Sequence, residues 1–583
     1  MSDEALRDLA DAWVSAFGAA LADGDPDAVA ALFAEETYWR DLLALTGDIG
    51  WVGNRDAVAD ALLRGHHARS SSGWRVSARY SPPRRTVRIG RDVVEAFLEF
   101  ETAAGPGVGV VRLSDDGDTA RAWVLLTRLA DLGAEPRLRP RTRPQGVGYD
   151  PAEGRTWRER RAAEHDYADR DPEVLIVGAG HSGLFLAAHL RRLGVDALVV
   201  DRLERLGDAW RQRYEALALH NSTDMVQFPY LPFPDTYPQY LPKDQLADWF
   251  EIYARAMELT CWTSTRFEGA EHDSATGRWT ARLVRDGRAV ELRPRHVVLA
   301  TGGVGGSPSI PALPGIDDFA GEVLHTKDFR SGEPFAGRHV LVVGVGSSGH
   351  DVAHDLVRHD AAGVTMLQRN PASIVSLEGA NLSYTFFNDG TPIEEADLMS
   401  ATGFIQPLLV RNFQAMTRVT NEHDRELLAG LRAAGLRIDD GEDGTGWQLK
   451  FFARNGGYYI DVGCSARIVD GTIGILQAAD VDRFTPAGVR LLDGSERPLD
   501  AVVLATGYLN QQEELRRYFG DDVADAVGPV SGFGPDGELR NAWRRTAQPG
   551  LWIMISGFSA ARTYSPLVAL QIAGDLADAG VLR

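Results

Sequence analysis

Two six-residue turns carry the residue types that binding a pyrophosphate requires. Gly178-Ala179-Gly180-His181-Ser182-Gly183 follows the apolar run Val174-Leu175-Ile176-Val177, and Gly344-Val345-Gly346-Ser347-Ser348-Gly349 follows Val340-Leu341-Val342-Val343. In each, the first glycine permits a tight turn, the second lets backbone N–H groups approach a phosphate, and the third lets the next helix pack against the strand. Ser182, Ser347 and Ser348 add hydroxyls to the same turns. After the first turn, a strand over Ala197–Val200 ends at Asp201, beside Arg202. That is about 20 residues on, where a carboxylate accepts from a ribose hydroxyl. After the second, a strand over Val364–Leu367 ends in Gln368-Arg369-Asn370. A cation there suits a 2′-phosphate, which an acid would repel, so Arg369 is expected to read NADPH, the neutral Gln368 leaving room for some NADH use.

The elements that must position these turns alternate strand, turn, helix, strand. This predicts an α/β chain with two Rossmann-like dinucleotide-binding domains. Two further apolar runs end in Ala-Thr-Gly, at Thr301-Gly302 and Thr506-Gly507, and both are expected to return the chain to the first nucleotide sheet. Ahead of them, Leu6, Leu9, Trp13, Phe17, Ala20 and Leu21 have helical spacing over residues 3–23. Further helices are expected to start near Asp25-Pro26 and at Asn54, a suitable N-cap. Val76–Tyr80, Thr86–Ile89, Val93–Phe100, Gly109–Leu113 and Ala120–Leu129 read as strands. Helices followed by strands imply a small α+β domain. The expected division is 1–132 for that domain, 133–170 for a Pro- and Arg-rich linker with a helical end, and 171–330 for the first part of the FAD domain. The NADPH domain with its substrate-cavity insertions then takes 331–498, and a return segment 499–583.

Between the two turns lies Phe319-Ala320-Gly321-Glu322-Val323-Leu324-His325-Thr326-Lys327-Asp328-Phe329, an F-x-G-x-x-x-H-x-x-x-F pattern. With the flanking turns, it resembles the identifying motif of group B flavin-containing monooxygenases, type II-like and with YUCCA-like features at Gly457–Gly463. Leu206-Gly207-Asp208-Ala209-Trp210-Arg211 resembles the G-G-x-W that follows the FAD site, with Asp208 replacing the second glycine. His220-Asn221-Ser222-Thr223 and the Pro/Phe-rich loop after it resemble the segment that faces flavin and nicotinamide. The resemblance implies FAD and NADPH as cofactors, with Gly207, Trp210, Thr301, Gly302, Thr506 and Gly507 contributing to their sites. It implies an enzyme that forms a C4a-hydroperoxyflavin and inserts one oxygen from O2 into a small organic substrate at a soft N or S. Baeyer-Villiger oxidation of a ketone is the alternative, and an NADPH oxidase releasing hydrogen peroxide a lesser one. Asn221, able to donate and accept at once, is the first candidate for the chemistry. His325 invites a role as base, yet its place between the domains favours coupling or cofactor positioning. Ala28–Tyr38 with Trp39-Arg40-Asp41 resembles a SnoaL-like cone, the fold shared with nuclear transport factor 2. Asp41 is its polar candidate, and packing, dimerisation or covering the active site its expected role.

Composition narrows the partners. The net charge of −21 comes without a compensating basic cluster, which argues against nucleic acid. The two cysteines, Cys261 and Cys464, form no C-x-x-C. That excludes the redox pair of a disulfide reductase, and no metal site is expected. The acidic N-terminus and the lack of an apolar run of about 20 residues lead to the expectation of a cytoplasmic protein without a membrane segment. A homodimer is the expected assembly.

Overall fold

The computed structural model describes residues 2–114, 120–133, 154–302 and 306–581. Much of the linker's Pro- and Arg-rich part therefore lies outside the described residues. Its helical end forms Trp157–His165, started by a capping box between Thr156 and Glu159. This helix lies along the first nucleotide unit, where the Trp262 indole N–H donates to His165 O at 3.0 Å.

The N-terminal helices Asp3–Asp23, Pro26–Ala31 and Arg55–Arg69 start at the caps Ser2, Asp25 and Asn54, each accepting a backbone N–H. They cover one face of a seven-stranded sheet in the order Ile49–Gly53, Phe33–Leu42, Arg121–Leu129, Gly105–Ser114, Arg91–Thr102, Ser72–Val76, with Arg84–Arg88 also on Arg91–Thr102. Pairing stops at Val76, so the strand expected over Val76–Tyr80 is displaced. Ser77 caps Arg79 N, Ser81 N is taken by Glu395, and Pro82 and Pro83 have no N–H for a ladder. The strands Phe33–Leu42 and Ile49–Gly53 are additions to the sequence reading.

Two five-stranded parallel sheets follow. The first runs Cys261–Trp262, Ala197–Val200, Val174–Val177, His296–Leu299, Leu551–Ile553; the second runs Glu322–His325, Ala501–Leu504, His339–Val343, Gly363–Gln368, Ile473–Gln477. Their strands are short, and the central ones are largely buried because helices or loops cover both faces, whereas the edge strand Glu322–His325 exposes Glu322 and Val323. Ala501–Leu504 thus belongs to the second sheet, between Glu322–His325 and His339–Val343, correcting its expected return to the first. Leu551–Ile553 makes that return instead. The second sheet accordingly begins before residue 331 and extends beyond 499.

A helical insertion, Leu377–Leu382 to Gly446–Arg454, leaves the second sheet and includes Ile393–Gly403 and Gln406–His423. The final helix, Phe558–Asp578, contains Pro566. One apolar cluster runs from Phe17 of the first helix and Phe97 of the N-terminal sheet through Met399 and Tyr564 to Phe185 and Leu567 beside the first nucleotide sheet. Among the described residues, no helix is long and apolar enough to cross a membrane.

Candidate functional site

The first turn is built as its residues require. Gly178 has φ +107, and a Cβ there would stand 2.5 Å from Ala300 O; one on Gly183 would stand 2.0 Å from Gly178 O. Gly180, by contrast, has nothing within 4 Å of that position, so its backbone faces open space. Ser182 lies in the first turn of the His181–Arg192 helix, whose N-terminal N–H groups favour an anion. The Thr301 hydroxyl, at the end of the neighbouring strand, is buried with no hydrogen-bond partner. An open glycine edge, a helix N-terminus and an orphaned hydroxyl together fit a dinucleotide. Asp201 accepts from Ala179 N at 2.8 Å and Leu203 N at 2.9 Å, and burial raises its pKa. It holds the turn, and its remaining lone pairs are what a ribose hydroxyl could use. Arg202 is exposed beside it. The departure at Asp208 is absorbed locally: its carboxylate accepts from Arg205 N and Arg211 Nη1. Gly207, φ +86, lies against Ala247 O, and Trp210 lies 6.2 Å from the Phe558 ring.

The second turn repeats the plan. A Cβ on Gly344 would meet Ala505 O at 2.5 Å and one on Gly349 would meet Gly344 O at 2.3 Å, while Gly346 is open except for Tyr458 O at 3.8 Å. Ser347 and Ser348 open the Ser347–Arg358 helix, and Ser347 Oγ donates to Tyr458 O. Gln368 is buried, bonded to Arg437 N and O and to Gln477. Arg369 is exposed, and Arg437 Nη2 donates to its carbonyl at 2.6 Å. Two guanidinium groups therefore flank the strand end expected to read a 2′-phosphate. Sequence reasoning missed Arg437, since nothing local links residues 69 positions apart.

His325 ends the edge strand of the second sheet. Lys327 N–H donates to its Nδ1 at 3.1 Å, which puts the ring proton on Nε2, and Nε2 donates to Gly507 O at 3.0 Å. Burial lowers its pKa. Both nitrogens are spent inside the protein, and the ring stands edge-on to Tyr508, 5.4 Å away. Here the two connections between the sheets are laced together: Ser309 N donates to Gly507 O, Thr506 Oγ1 to Ser309 O, and Gln511 Nε2 to Gly302 O.

Asn221 is half-buried, with Nδ2 3.4 Å from Met225 Sδ. The Tyr384 hydroxyl lies close to this amide, and burial keeps it protonated. From there an aromatic wall leads to the second turn, Tyr384 to Trp447 at 6.1 Å and Trp447 to Tyr458 at 5.8 Å. Phe451 reaches within 3.9 Å of where a Gly557 Cβ would stand. Asp41 is bound within the N-terminal unit. Its carboxylate accepts from Thr127 Oγ1, Thr46 Oγ1 and N, and Leu45 N, so its acceptor capacity is used in packing. Cys261 and Cys464 are free thiols.

A family model described as flavin-binding monooxygenase-like matches residues 171–422. The chain is 38% identical over 352 residues to the indole-3-pyruvate monooxygenase YUCCA1 of Oryza sativa subsp. japonica, covering 60% of this chain and 80% of that protein. It is 33% identical over 336 residues to the probable indole-3-pyruvate monooxygenase YUCCA9 of Arabidopsis thaliana, covering 57% and 74%. Among solved structures, OTEMO in complex with FAD and NADP (form 2) aligns with a TM-score of 0.52 at 16% identity, covering 70% of this chain and 86% of that one, a likeness of fold.

Proposed function

The chain belongs to the flavin-binding monooxygenase-like family, and from that premise we propose which residues do the work. The protein is an oxidoreductase that uses FAD, NADPH and O2 to oxygenate a small organic substrate. Flavin, when bound, supplies the hydride and dioxygen chemistry; the protein supplies binding, orientation and exclusion of water. The turn at Gly178–Gly183 with Asp201, Arg202, Gly207, Trp210, Thr301 and Gly302 holds FAD. The turn at Gly344–Gly349 with Arg369, Thr506 and Gly507 holds NADPH. Asn221 presents its amide to the reacting oxygen and the nicotinamide, with the Tyr384 hydroxyl behind it. His325 stays neutral and ties the two sheets together. The observation that supports this reading is the lacing of both connections at His325, which ties the two nucleotide sheets to each other beside their glycine turns.

The substrate offers a soft N or S. A second reading, oxygenation at a carbonyl, draws on the aromatic wall and on relatives named for indole-3-pyruvate, an aromatic 2-oxo acid. The N-terminal unit is read as a SnoaL-like cone without catalysis of its own. The division into an N-terminal domain, two nucleotide domains and a linker is part of the same proposal. Cytoplasmic residence and a homodimer belong to the same proposal, and light scattering tests the dimer.

The purified yellow protein, given NADPH, O2 and in turn an aryl thioether, a tertiary amine and an aromatic 2-oxo acid, is expected to form oxygenated product in proportion to NADPH consumed. Stoichiometric hydrogen peroxide with every substrate and no product would identify an oxidase and overturn the reading.

A further inference from the structure

The face of the N-terminal sheet turned away from its own helices is charged as well as apolar. Along Phe33–Leu42 the side chains alternate: Trp39 and Asp41 enter the N-terminal core, while Arg40 points out of it and into the rest of the protein. Arg40 is fully buried. It donates to both Glu538 oxygens at 2.9 and 2.6 Å, to Tyr564 OH at 2.9 Å and to Ala401 O at 2.9 Å, and stacks 5.1 Å over Phe404. Arg112, held by Glu95, donates to Met399 O at 3.1 Å. Both carbonyls belong to the C-terminal end of the Ile393–Gly403 helix, where the helix dipole favours cations. At the other end, Ser81 N donates to Glu395 at 2.8 Å and Arg79 pairs with Glu394. The N-terminal sheet thus grips this helix at both ends.

The same helix carries Asp397. Arg562 donates to both its oxygens, at 2.7 and 2.8 Å, with both side chains buried. The remaining arm of Arg562 donates to Met225 O and Gln227 O, each at 2.9 Å. Met225 also closes the turn that starts at Asn221, its N–H donating to Ser222 O and its sulfur touching the Asn221 amide. A continuous set of buried hydrogen bonds therefore links the N-terminal sheet to the Asn221 turn.

We infer that the N-terminal sheet is a positioning element for oxygen transfer: Arg40 and Arg112 fix the Ile393–Gly403 helix, and that helix, through Asp397 and Arg562, sets the conformation of the turn carrying Asn221. The inference rests on the role assigned to Asn221 above. Arg40 and Arg562 are positioning residues, touching neither substrate nor cofactor in this account. What they govern is the fraction of NADPH whose electrons reach product rather than hydrogen peroxide.

The test compares full-length, FAD-loaded wild type with Arg40→Met/Glu538→Leu. The paired replacement removes the grip on Ala401 O without leaving a lone buried charge. Two quantities are read: amide hydrogen exchange over residues 221–228, and peroxide released per NADPH. Exchange in that segment is expected to rise about fivefold, and peroxide yield about threefold, the scale of a coupling carried through packed networks. Exchange in the first nucleotide sheet serves as the control for general loosening. Should the double variant fail to retain FAD, Asp397→Asn carries the same test, since it keeps the shape of the link and drops its charge. Unchanged exchange over 221–228 in a variant that keeps FAD overturns the link. Raised exchange with unchanged peroxide, while Asn221→Ala does raise peroxide, overturns the positioning role. If Asn221→Ala leaves peroxide unchanged, the role of Asn221 fails, and the exchange result still decides the link.

Discussion

At Asn221 one amide is asked to serve two partners. Removing it leaves a buried group unsatisfied, a loss of about 1–3 kcal/mol, or about 5- to 150-fold in rate. Asn221→Ala is therefore expected to retain FAD, lose product by that order and release the difference as peroxide; unchanged product per NADPH would sink the assignment. Arg369 is exposed, and its contribution is a charge-assisted hydrogen bond of about 1.5–3 kcal/mol, softened by Arg437 alongside. Arg369→Ala should raise the KM for NADPH about tenfold and leave that for NADH nearly unmoved. Equal effects on both coenzymes would remove the 2′-phosphate from the account. Single residues were the most legible scale in the sequence, because a glycine turn or a strand-end cation reports a local requirement. Tyr384 shows the limit of that. As one aromatic among many in its region it reads as core, and only the folded insertion brings its hydroxyl to Asn221.

Among elements, the two nucleotide helices make the sharpest claim. Each starts so close to its strand that a methyl group on Gly183 or Gly349 would overlap a carbonyl. Gly183→Ala is expected to yield colourless protein that binds FAD poorly, and Gly349→Ala to yield yellow protein with weakened NADPH binding. Flavin absorbance and NADPH titration separate the two outcomes, and yellow Gly183→Ala protein of normal FAD content would count against the assignment of the first turn. Helix caps and strand runs could be read locally. The sheet to which Ala501–Leu504 belongs could not, because a short buried apolar strand has the same pattern in any parallel sheet and its partners are distant in sequence. Arg562 offered a faint signal, as the one basic residue in the final helix, but its partner Asp397 lies in another element altogether.

For the molecule as a whole, acid is the lever. Burial brings His181, His220, His296 and His350 to about 4 and His189 to about 3. Folded, these rings are neutral near pH 6, whereas in the unfolded chain they charge near 6.5. The unfolded state then binds more protons, so their contribution is full above about pH 6.5 and is lost as pH falls towards 4. Each shift of 2 units or so corresponds to about 3 kcal/mol, and two such sites rival a typical net stability of about 5–15 kcal/mol. The urea midpoint is expected to drop markedly between pH 7 and pH 5, and a flat profile would show that these rings are solvated. The two nucleotide units were visible in the sequence because each repeats a local plan. The docking of the N-terminal sheet was not, since it depends on charges that meet only in the finished fold.

The Arg40–Glu538 pair spans 498 residues, and that separation has a meaning in time. At about 5–20 residues per second, a ribosome takes about 25–100 s to travel from one partner to the other. The N-terminal sheet can form early in that interval, yet the face bearing Arg40, Tyr38 and Trp123 has nothing to close against until the Ile393–Gly403 helix emerges, and Arg40 waits longer still for Glu538. The nascent chain must carry an unfinished surface until its last helices emerge, so this face is where a chaperone would be needed and where a stalled or truncated chain would aggregate.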